Sequence, residues 1–388
     1  MNKIEKIANN FNIKGKLIEI KELGGGNINR TYLLTFFNQG SIDRYIFQRI
    51  NTTVFNEPHN LMQRIEQVTT HMKNKQTNGA QVLQVIKTND NNTLHVINDN
   101  GSVEYWRVYE QIKDAISYND MSEVPNGIKE EVAFKIGQAF GNFLKLVSDY
   151  PEDGLKDPID NFHNTEYIYQ EFLKDVKRDP VKRVASCQEE IDFVIQREKL
   201  YYLLNELHKK GLIPKRLNHN DTKINNVLIC WETNCSSVID LDTVMPGMLS
   251  DPADALRSLI NEAGEEEKDL SLIDINFDIL KSFVEGYASE THDVLNEVEI
   301  KNIANALHII SLELGMRFLN DYINGDVYFR INPKIENHNL QRAKVQFQLA
   351  KKIEQNKKII EKIINSVYLK AKNQTKSKQY ILDNKKSS

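Results

Sequence analysis

His219, Asp221 and Asn226 stand in the spacing H-x-D-x-x-x-x-N within residues 217–246, LNHNDTKINNVLICWETNCSSVIDLDTVMP. A turn and a second apolar segment follow, ending in Val238-Ile239-Asp240-Leu241-Asp242. A carboxylate placed like Asp221 can orient an acceptor hydroxyl. An amide oxygen like that of Asn226 and a carboxylate like that of Asp240 can hold magnesium on the phosphates of a nucleotide. Three groups on two adjacent backbone segments can therefore serve one phosphoryl transfer. Lys223 either offsets charge on the transferring phosphate or is a solvated loop lysine. Asp240 and Asp242 are two apart, and an extended segment would turn both carboxylates to one side. That makes Asp242 a further candidate for the metal, or else a local cap.

The same stretch read as an N-cap Asp followed by polar loop would need no particular flanks, yet its flanks are specific. Residues 227–230 read as a short buried strand, 232–234 as turn chemistry, and 237–240 as a second strand with its Asp at the far end. Loop, hairpin and Asp follow the order of the kinase fold, whose loop reads H-R-D-x-x-x-x-N. A D-F-G would require Gly at 242; Asp there argues against a protein kinase.

Around this stretch the chain is long enough, at 388 residues, for two lobes with separate cores. A formal net charge of −4 gives no general attraction for nucleic acid or an anionic membrane. The cysteines, Cys187, Cys230 and Cys235, have neither disulfide-framework nor zinc spacing, so a reducing, cytoplasmic setting is expected. The opening MNKIEKIANNFNIKGK has no apolar signal region, and no run approaches a membrane span. Oligomeric state is not legible.

Strand-like runs at 17–20, 31–37, 44–50, 82–87, 93–97 and 103–109 precede residue 112, separated by turn formers such as Asn38-Gln39-Gly40. One helix, 57–75, interrupts them with Leu61, Ile65, Val68 and Met72 on one face. Helical patterns follow at 128–147, 165–177, 187–210, 277–286, 297–324 and 339–368. The expected fold is α+β and two-lobed like a protein kinase: a small β-rich lobe over 1–112, a large, mainly helical lobe over 113–368, and a basic, flexible tail over 369–388.

The small lobe should supply the nucleotide contacts. In Leu23-Gly24-Gly25-Gly26-Asn27-Ile28, a glycine turn runs into a strand, so backbone N–H groups at Gly25, Gly26 and Asn27 can approach phosphate without Cβ clashes; a plain hairpin turn is the alternative. The strand after it places no Lys where kinases carry one. Gln48 is closest to that position and Arg49 is the nearby cation, on opposite faces by alternation; an exposed strand cation is the other reading of Arg49. Glu66 is the candidate ion-pair partner, or an ordinary helix-surface Glu. Trp106 to Ile112 reads as the hinge, with main-chain groups from Glu110 to Ile112 facing the adenine edge, or else as a plain edge strand.

The chain resembles the aminoglycoside phosphotransferase and choline kinase superfamily, and most of all its N-acetylhexosamine 1-kinase branch. The matching segments are GGGNINRTY (24–32), YIFQRIN (45–51), LMQRIEQVTTHM (61–72), YWRVYEQI (105–112), NFHNT (161–165), HNDTKINNVLI (219–229), VIDLDTVMPG (238–247), DPADALR (251–257) and LELGMRFLNDYINGDVYF (312–329). The resemblance implies ATP-dependent phosphorylation of an N-acetylhexosamine at its anomeric hydroxyl, with the catalytic base at Asp221 and magnesium on Asn226 and Asp240. Two departures bear on substrate identity: Asn27 stands where members often carry His, and Ser250-Asp251-Pro252-Ala253-Asp254 where they carry an aromatic and Gly before the Asp.

For the sugar, Phe162-His163-Asn164-Thr165 offers a ring and polar groups, although His163 also reads as a capping or structural histidine. Arg317 and Asp321 are four apart on one helix face and can pair with each other. Tyr322 reads as helix packing. Tyr328 follows the Asn324-Gly325-Asp326 loop, where an aromatic can cover a sugar ring. By resemblance this region contributes to the sugar site, through Arg317 and Tyr328. Asp254 and Arg257 read as a brace behind Asp242, and Glu265-Glu266-Glu267 as a solvated face. A kinase for an aminoglycoside, choline or another amino alcohol is the alternative, and a nucleotide-binding pseudokinase the other, favoured only by the missing strand Lys.

Overall fold

The period-two pattern of the first hundred residues closes into an antiparallel sheet. The computed structural model describes residues 3–23, 29–76, 80–99, 101–151 and 158–386. After α1 (Lys3–Ala8) come β1 (Lys16–Leu23), β2 (Arg30–Asn38) and β3 (Ser41–Arg49). Asn38 pairs with Ser41, leaving a two-residue turn with Gln39 and Gly40 both at positive φ. That is the hairpin geometry matching strand twist, and it is why the sequence carries Gly there. α2 (Pro58–Lys75) starts with Pro in its first turn and buries Leu61, Ile65, Val68 and Met72, the face its period marks. β4 (Val85–Ile86), β5 (His95–Asp99) and β6 (Ser102–Glu110) complete a sheet of order β1-β2-β3-β6-β4, with β5 also on β6. Its core joins Ile4, Ile7 and Phe11 to Leu34, Phe47, Trp106 and Val108.

Helices dominate the remainder: α3 (Lys129–Val147), α4 (Thr165–Arg178), α5 (Gln188–Ile195) and α6 (Glu198–Lys209). The single helix expected over 187–210 is thus divided at Gln196-Arg197. Then come β7 (Arg216–Asn218), the hairpin β8 (Val227–Cys230) and β9 (Cys235–Val238), β10 (Met245–Gly247), α7 (Ser250–Ile260), α8 (Phe277–Thr291), α9 (Glu297–Ile323) and α10 (His338–Lys386). The sequence pattern ended the last helix near 368; the structure carries it to Lys386. α9 opens on a capping box in which the Asn296 side chain accepts from Glu299 N–H and the Glu299 side chain accepts from Asn296 N–H.

The fold is α+β, with a small antiparallel sheet unit and a large helical unit, as in the kinase-like fold. The first compact unit comprises Met1–Ile116, Asp149–Asp160 and Leu228–Val244, and the second Ser117–Ser148, Asn161–Val227 and Met245–Ser388. The hairpin that carries Asp240 and Asp242 therefore belongs with the sheet, although it follows residues 219–226 in the chain. Among the described residues, no helix is long and apolar enough to cross a membrane.

Candidate functional site

In the helical unit, β7 leads into the loop 219–226, and the start of α7 holds that loop by its backbone. Asp251 accepts from His219 N–H at 2.9 Å and from Asn220 N–H at 2.8 Å, and Asp254 accepts from Thr222 N–H at 3.1 Å. Thr222 Oγ1 donates to the Asp251 carbonyl. Asp254 and Arg257 form an ion pair at 2.9 Å. Burial works against ionisation of Asp254, yet Arg257 and the neighbouring His163 and Lys223 hold its pKa below the usual value. These residues brace the loop 219–226; the expected brace behind Asp242 is corrected accordingly. Gly247 passes so close that a Cβ would stand 2.7–2.9 Å from Asn218 Nδ2, Ser250 Oγ and Asn220 Oδ1. Any side chain there would displace the hydrogen bonds that Ser250 makes with Asn218 and Asn220.

His219, Asn220 and Thr222 are buried, whereas the side chain of Asp221 is 25 % exposed. Its carboxylate takes Lys223 Nζ at 3.1 Å and Asn226 Nδ2 at 3.2 Å. The charge of Asp221 raises the pKa of Lys223, against the effect of burial. Asn226 also donates to the Asp221 carbonyl, so its amide nitrogen is committed and its oxygen is the end that can meet a cation.

His163 lies against this loop. Its Nε2 is 2.9 Å from the Asn220 carbonyl oxygen and its Nδ1 is 2.7 Å from Glu313. The ring is thus occupied by protein partners, which moves it from sugar contact to the support of the loop. Phe162 packs against it with ring centroids 4.5 Å apart and planes tilted by 59°. The Arg317 guanidinium lies 5.1 Å from the Phe162 ring, 5.9 Å from Tyr328 and 5.7 Å from Phe329. The structure therefore brings Phe162, Arg317 and Tyr328 together. Asp321 is not the partner of Arg317: its carboxylate accepts from the backbone N–H groups of Val327, Tyr328 and Phe329 and from Asn339. It fixes the loop that presents Tyr328, which is 62 % exposed. Tyr322 is buried, as its helix position indicates. The acidic run is not a free face. Glu265 pairs with Arg257 and Arg342, Glu266 with His338 and Arg342, and Glu267 accepts from the backbone of Lys268 and Asp269.

In the sheet unit, Asp240 adopts the left-handed region at φ 60° and begins a single 3-10 turn, Leu241–Thr243. The extended geometry assumed for 240–242 fails here, and the two carboxylates part. Asp240 is exposed. Asp242 is buried, with Arg107 Nη1 at 2.5 Å and Nη2 at 2.9 Å on its two oxygens and Asn29 Nδ2 at 2.9 Å. Both oxygens are spent within the protein, so the assignment of Asp242 as a metal ligand is withdrawn. Among the described residues, no three His, Cys, Asp or Glu side chains gather as a metal site.

Arg107, on β6, is a buried cation of the sheet unit that strand spacing does not single out. Its side chain is 1 % exposed. Burial disfavours its charge, but Asp242, with Tyr109 and Asp240, holds its pKa above the ordinary value. Gln48, its register partner on β3, accepts from Arg107 Nε at 2.9 Å and donates to Thr31, so Gln48 orients the arginine. The apolar neighbours on either side of it, Trp106 and Val108, were the available signal. Arg49 points the other way and pairs with Glu104 at 2.8 Å, beside Lys3. Glu66 pairs with Lys87, so the expected Arg49–Glu66 pair is not formed. At the expected hinge, Glu110 N–H donates to Gln84 O and Gln111 N–H to Arg44 O. Ile112 is buried, and its N–H has no partner among the described residues. Gly25, Gly26 and Asn27 lie outside the described residues.

A family model described as the phosphotransferase enzyme family matches residues 19–275. The chain belongs to that family, the aminoglycoside phosphotransferase and choline kinase superfamily of small-molecule kinases. Among solved structures it is similar to a microcompartment-associated aminopropanol kinase (TM-score 0.63, 12 % identity, covering 92 % of this chain and 98 % of that one). It is also similar to an amicoumacin kinase in complex with AMP-PNP and Ca²⁺ (TM-score 0.58, 14 % identity, covering 89 % and 92 %). A third is choline kinase from Cryptosporidium parvum Iowa II (TM-score 0.54, 16 % identity, covering 94 % and 99 %). At these identities the likeness is one of fold.

Proposed function

We propose that the chain is an ATP-dependent kinase acting on the anomeric hydroxyl of an N-acetylhexosamine to give the sugar 1-phosphate. The observation that carries this reading is Asp221, a partly exposed carboxylate on a loop whose flanking residues are buried and tied down by their backbone. Such a group can orient the acceptor hydroxyl and take its proton, with Lys223 beside it to offset charge. Asn226, with its oxygen left to bond, and the exposed Asp240 offer the hard oxygen donors that magnesium takes; their sharing of one ion rests on the sequence motif. Bound magnesium would neutralise phosphate charge on the nucleotide. The Ile112 N–H is the proposed donor to the adenine edge.

The neutral sugar is favoured over a cationic acceptor by Arg317. Aromatic rings face its guanidinium, and it makes no ion pair or hydrogen bond with another described residue. It can donate to hydroxyl and carbonyl oxygens, while an ammonium would meet like charge. The acidic side chains Glu265 and Glu266 are already committed to arginine and histidine partners. Amino alcohols remain the alternative acceptors because the fold neighbours are named for such substrates. ADP release with ATP and Mg²⁺ should be followed against N-acetylglucosamine, N-acetylgalactosamine, choline and kanamycin. Turnover of choline or kanamycin alone would sink the sugar assignment.

A further inference from the structure

Resting on the kinase reading, we propose that His163 is a positioning residue whose doubly protonated ring clamps the peptide unit ahead of Asp221 and so aims its carboxylate. The argument starts from donors and acceptors. The two ring nitrogens face a backbone carbonyl, that of Asn220 at 2.9 Å, and a carboxylate oxygen, that of Glu313 at 2.7 Å. The other Glu313 oxygen accepts from Thr165 Oγ1. A carbonyl only accepts, and so does an ionised carboxylate. A neutral imidazole carries one N–H and can satisfy only one of them; the imidazolium satisfies both. Glu313 is 2 % exposed, and His163 is its ion-pair partner. Losing that proton would leave a buried carboxylate without a cation, which is costly.

What the ring holds matters for aim. Asn220 sits in the left-handed region at φ 64°, unusual for a residue other than glycine. Its N–H is held by Asp251, and its side chain by Met245 O, Asn218 O and Ser250 Oγ. The next peptide unit has its carbonyl on His163 and its N–H, that of Asp221, 3.3 Å from His219 Nδ1. Two histidines therefore fix one peptide plane, and Asp221 hangs from it. If His163 loses its proton, the remaining N–H goes to Glu313 and a lone pair faces the Asn220 carbonyl, so the clamp opens on the loop side.

The charged groups facing His163 are Glu313 from α9 and Asp251 and Asp254 from α7; Arg317, one turn beyond Glu313, lies over the adjacent Phe162. Burial lowers the pKa of His163, but the acidic groups and the Asn220 carbonyl raise it above the ordinary value. The clamp is thus closed at acid and neutral pH and lost as pH rises through the raised pKa.

Two variants separate positioning from mere support. His163→Ala should lower kcat on the order of 10²-fold with KM for ATP changed less than about twofold. Glu313→Gln removes the charge but keeps the shape: the amide donates to Nδ1, the ring stays neutral with its N–H on Asn220, and the alkaline fall in kcat expected of the native protein should disappear. Ring ¹⁵N chemical shifts, with His163 assigned by its loss in His163→Gln, give a readout without turnover. They should show both nitrogens protonated at pH 7 in the native protein and one in Glu313→Gln. A neutral His163 ring at pH 7 would overturn the clamp even if the enzyme is active. So would a His163→Ala variant that loses thermal stability while keeping kcat and the pH profile. A protonated ring in a protein that phosphorylates no acceptor would instead overturn the kinase reading, and the aiming role with it.

Discussion

Arg107→Met tests whether the turn that carries Asp240 and Asp242 is anchored as the structure indicates. The native pair is bidentate, with side chains 1 % and 5 % exposed, and Asn29 supplies the other hydrogen bond to Asp242. Methionine fills comparable volume but leaves a carboxylate with one neutral donor in a dry setting. Breaking a buried pair from one side costs about 3–5 kcal/mol, and the loss of the donor to Gln48 adds about 1 kcal/mol. Arg107→Met/Asp242→Leu removes both charges. It should lose only about 2 kcal/mol, chiefly from the stranded amides of Asn29 and Gln48. Both tryptophans, Trp106 and Trp231, lie in the sheet unit. Tryptophan fluorescence during guanidinium unfolding therefore reports that unit selectively. The expected cycle is a large loss for each single variant, Asp242→Leu included, and a coupling energy of at least about 5 kcal/mol, the two single losses together less that of the double variant. Arg107→Lys should recover only part, because an ammonium cannot bridge both oxygens. A single variant within about 1 kcal/mol of native, or a coupling near zero, would refute the reasoning.

Asp221→Asn should lose turnover by at least about 10³-fold while nucleotide binding by calorimetry stays within a few-fold. Gly247→Ala pushes a methyl into the Asn218–Ser250–Asn220 hydrogen bonds and should cost about 1–3 kcal/mol in thermal unfolding together with a fall in kcat. Arg317→Met should raise KM for the sugar on the order of tenfold and leave KM for ATP unchanged. His308 is buried with Nε2 unpaired, and burial depresses its pKa to about 4. The unfolded chain takes up that proton first, so stability is present at neutral pH and is lost as pH falls from about 6.5 toward 4. The loss is about 3 kcal/mol, and His308→Leu should flatten the acid limb of a stability-against-pH curve.

Periodicity made the sheet and α2 legible, because one face of each is buried, whereas α9 is buried nearly all round. The split of 187–210 into α5 and α6 was not legible, since no Pro or Gly marks the break. Instead Arg197 turns back to donate to Phe193 O and lies over the Phe193 ring at 3.6 Å. The loop 219–226 was legible as a local spacing, whereas its supports were not: Asp251 and Glu313 act through hydrogen bonds 31–32 and 150 positions away. Asp242 misled because a period-two rule was applied where the backbone enters the left-handed region at Asp240. Arg49 misled for a related reason. Position along the strand named it, but the face of the sheet sends it to Glu104 and leaves the inner position to Arg107.

The most direct measurement is the position of the transferred phosphate. With ATP, Mg²⁺ and N-acetylglucosamine or N-acetylgalactosamine, proton-coupled ³¹P NMR of the product should show phosphorus coupled to the anomeric proton, and Asp221→Asn should give no product. Phosphorus coupled to a C6 methylene, phosphate appearing only on choline or kanamycin, or undiminished product from the Asn variant would contradict the account.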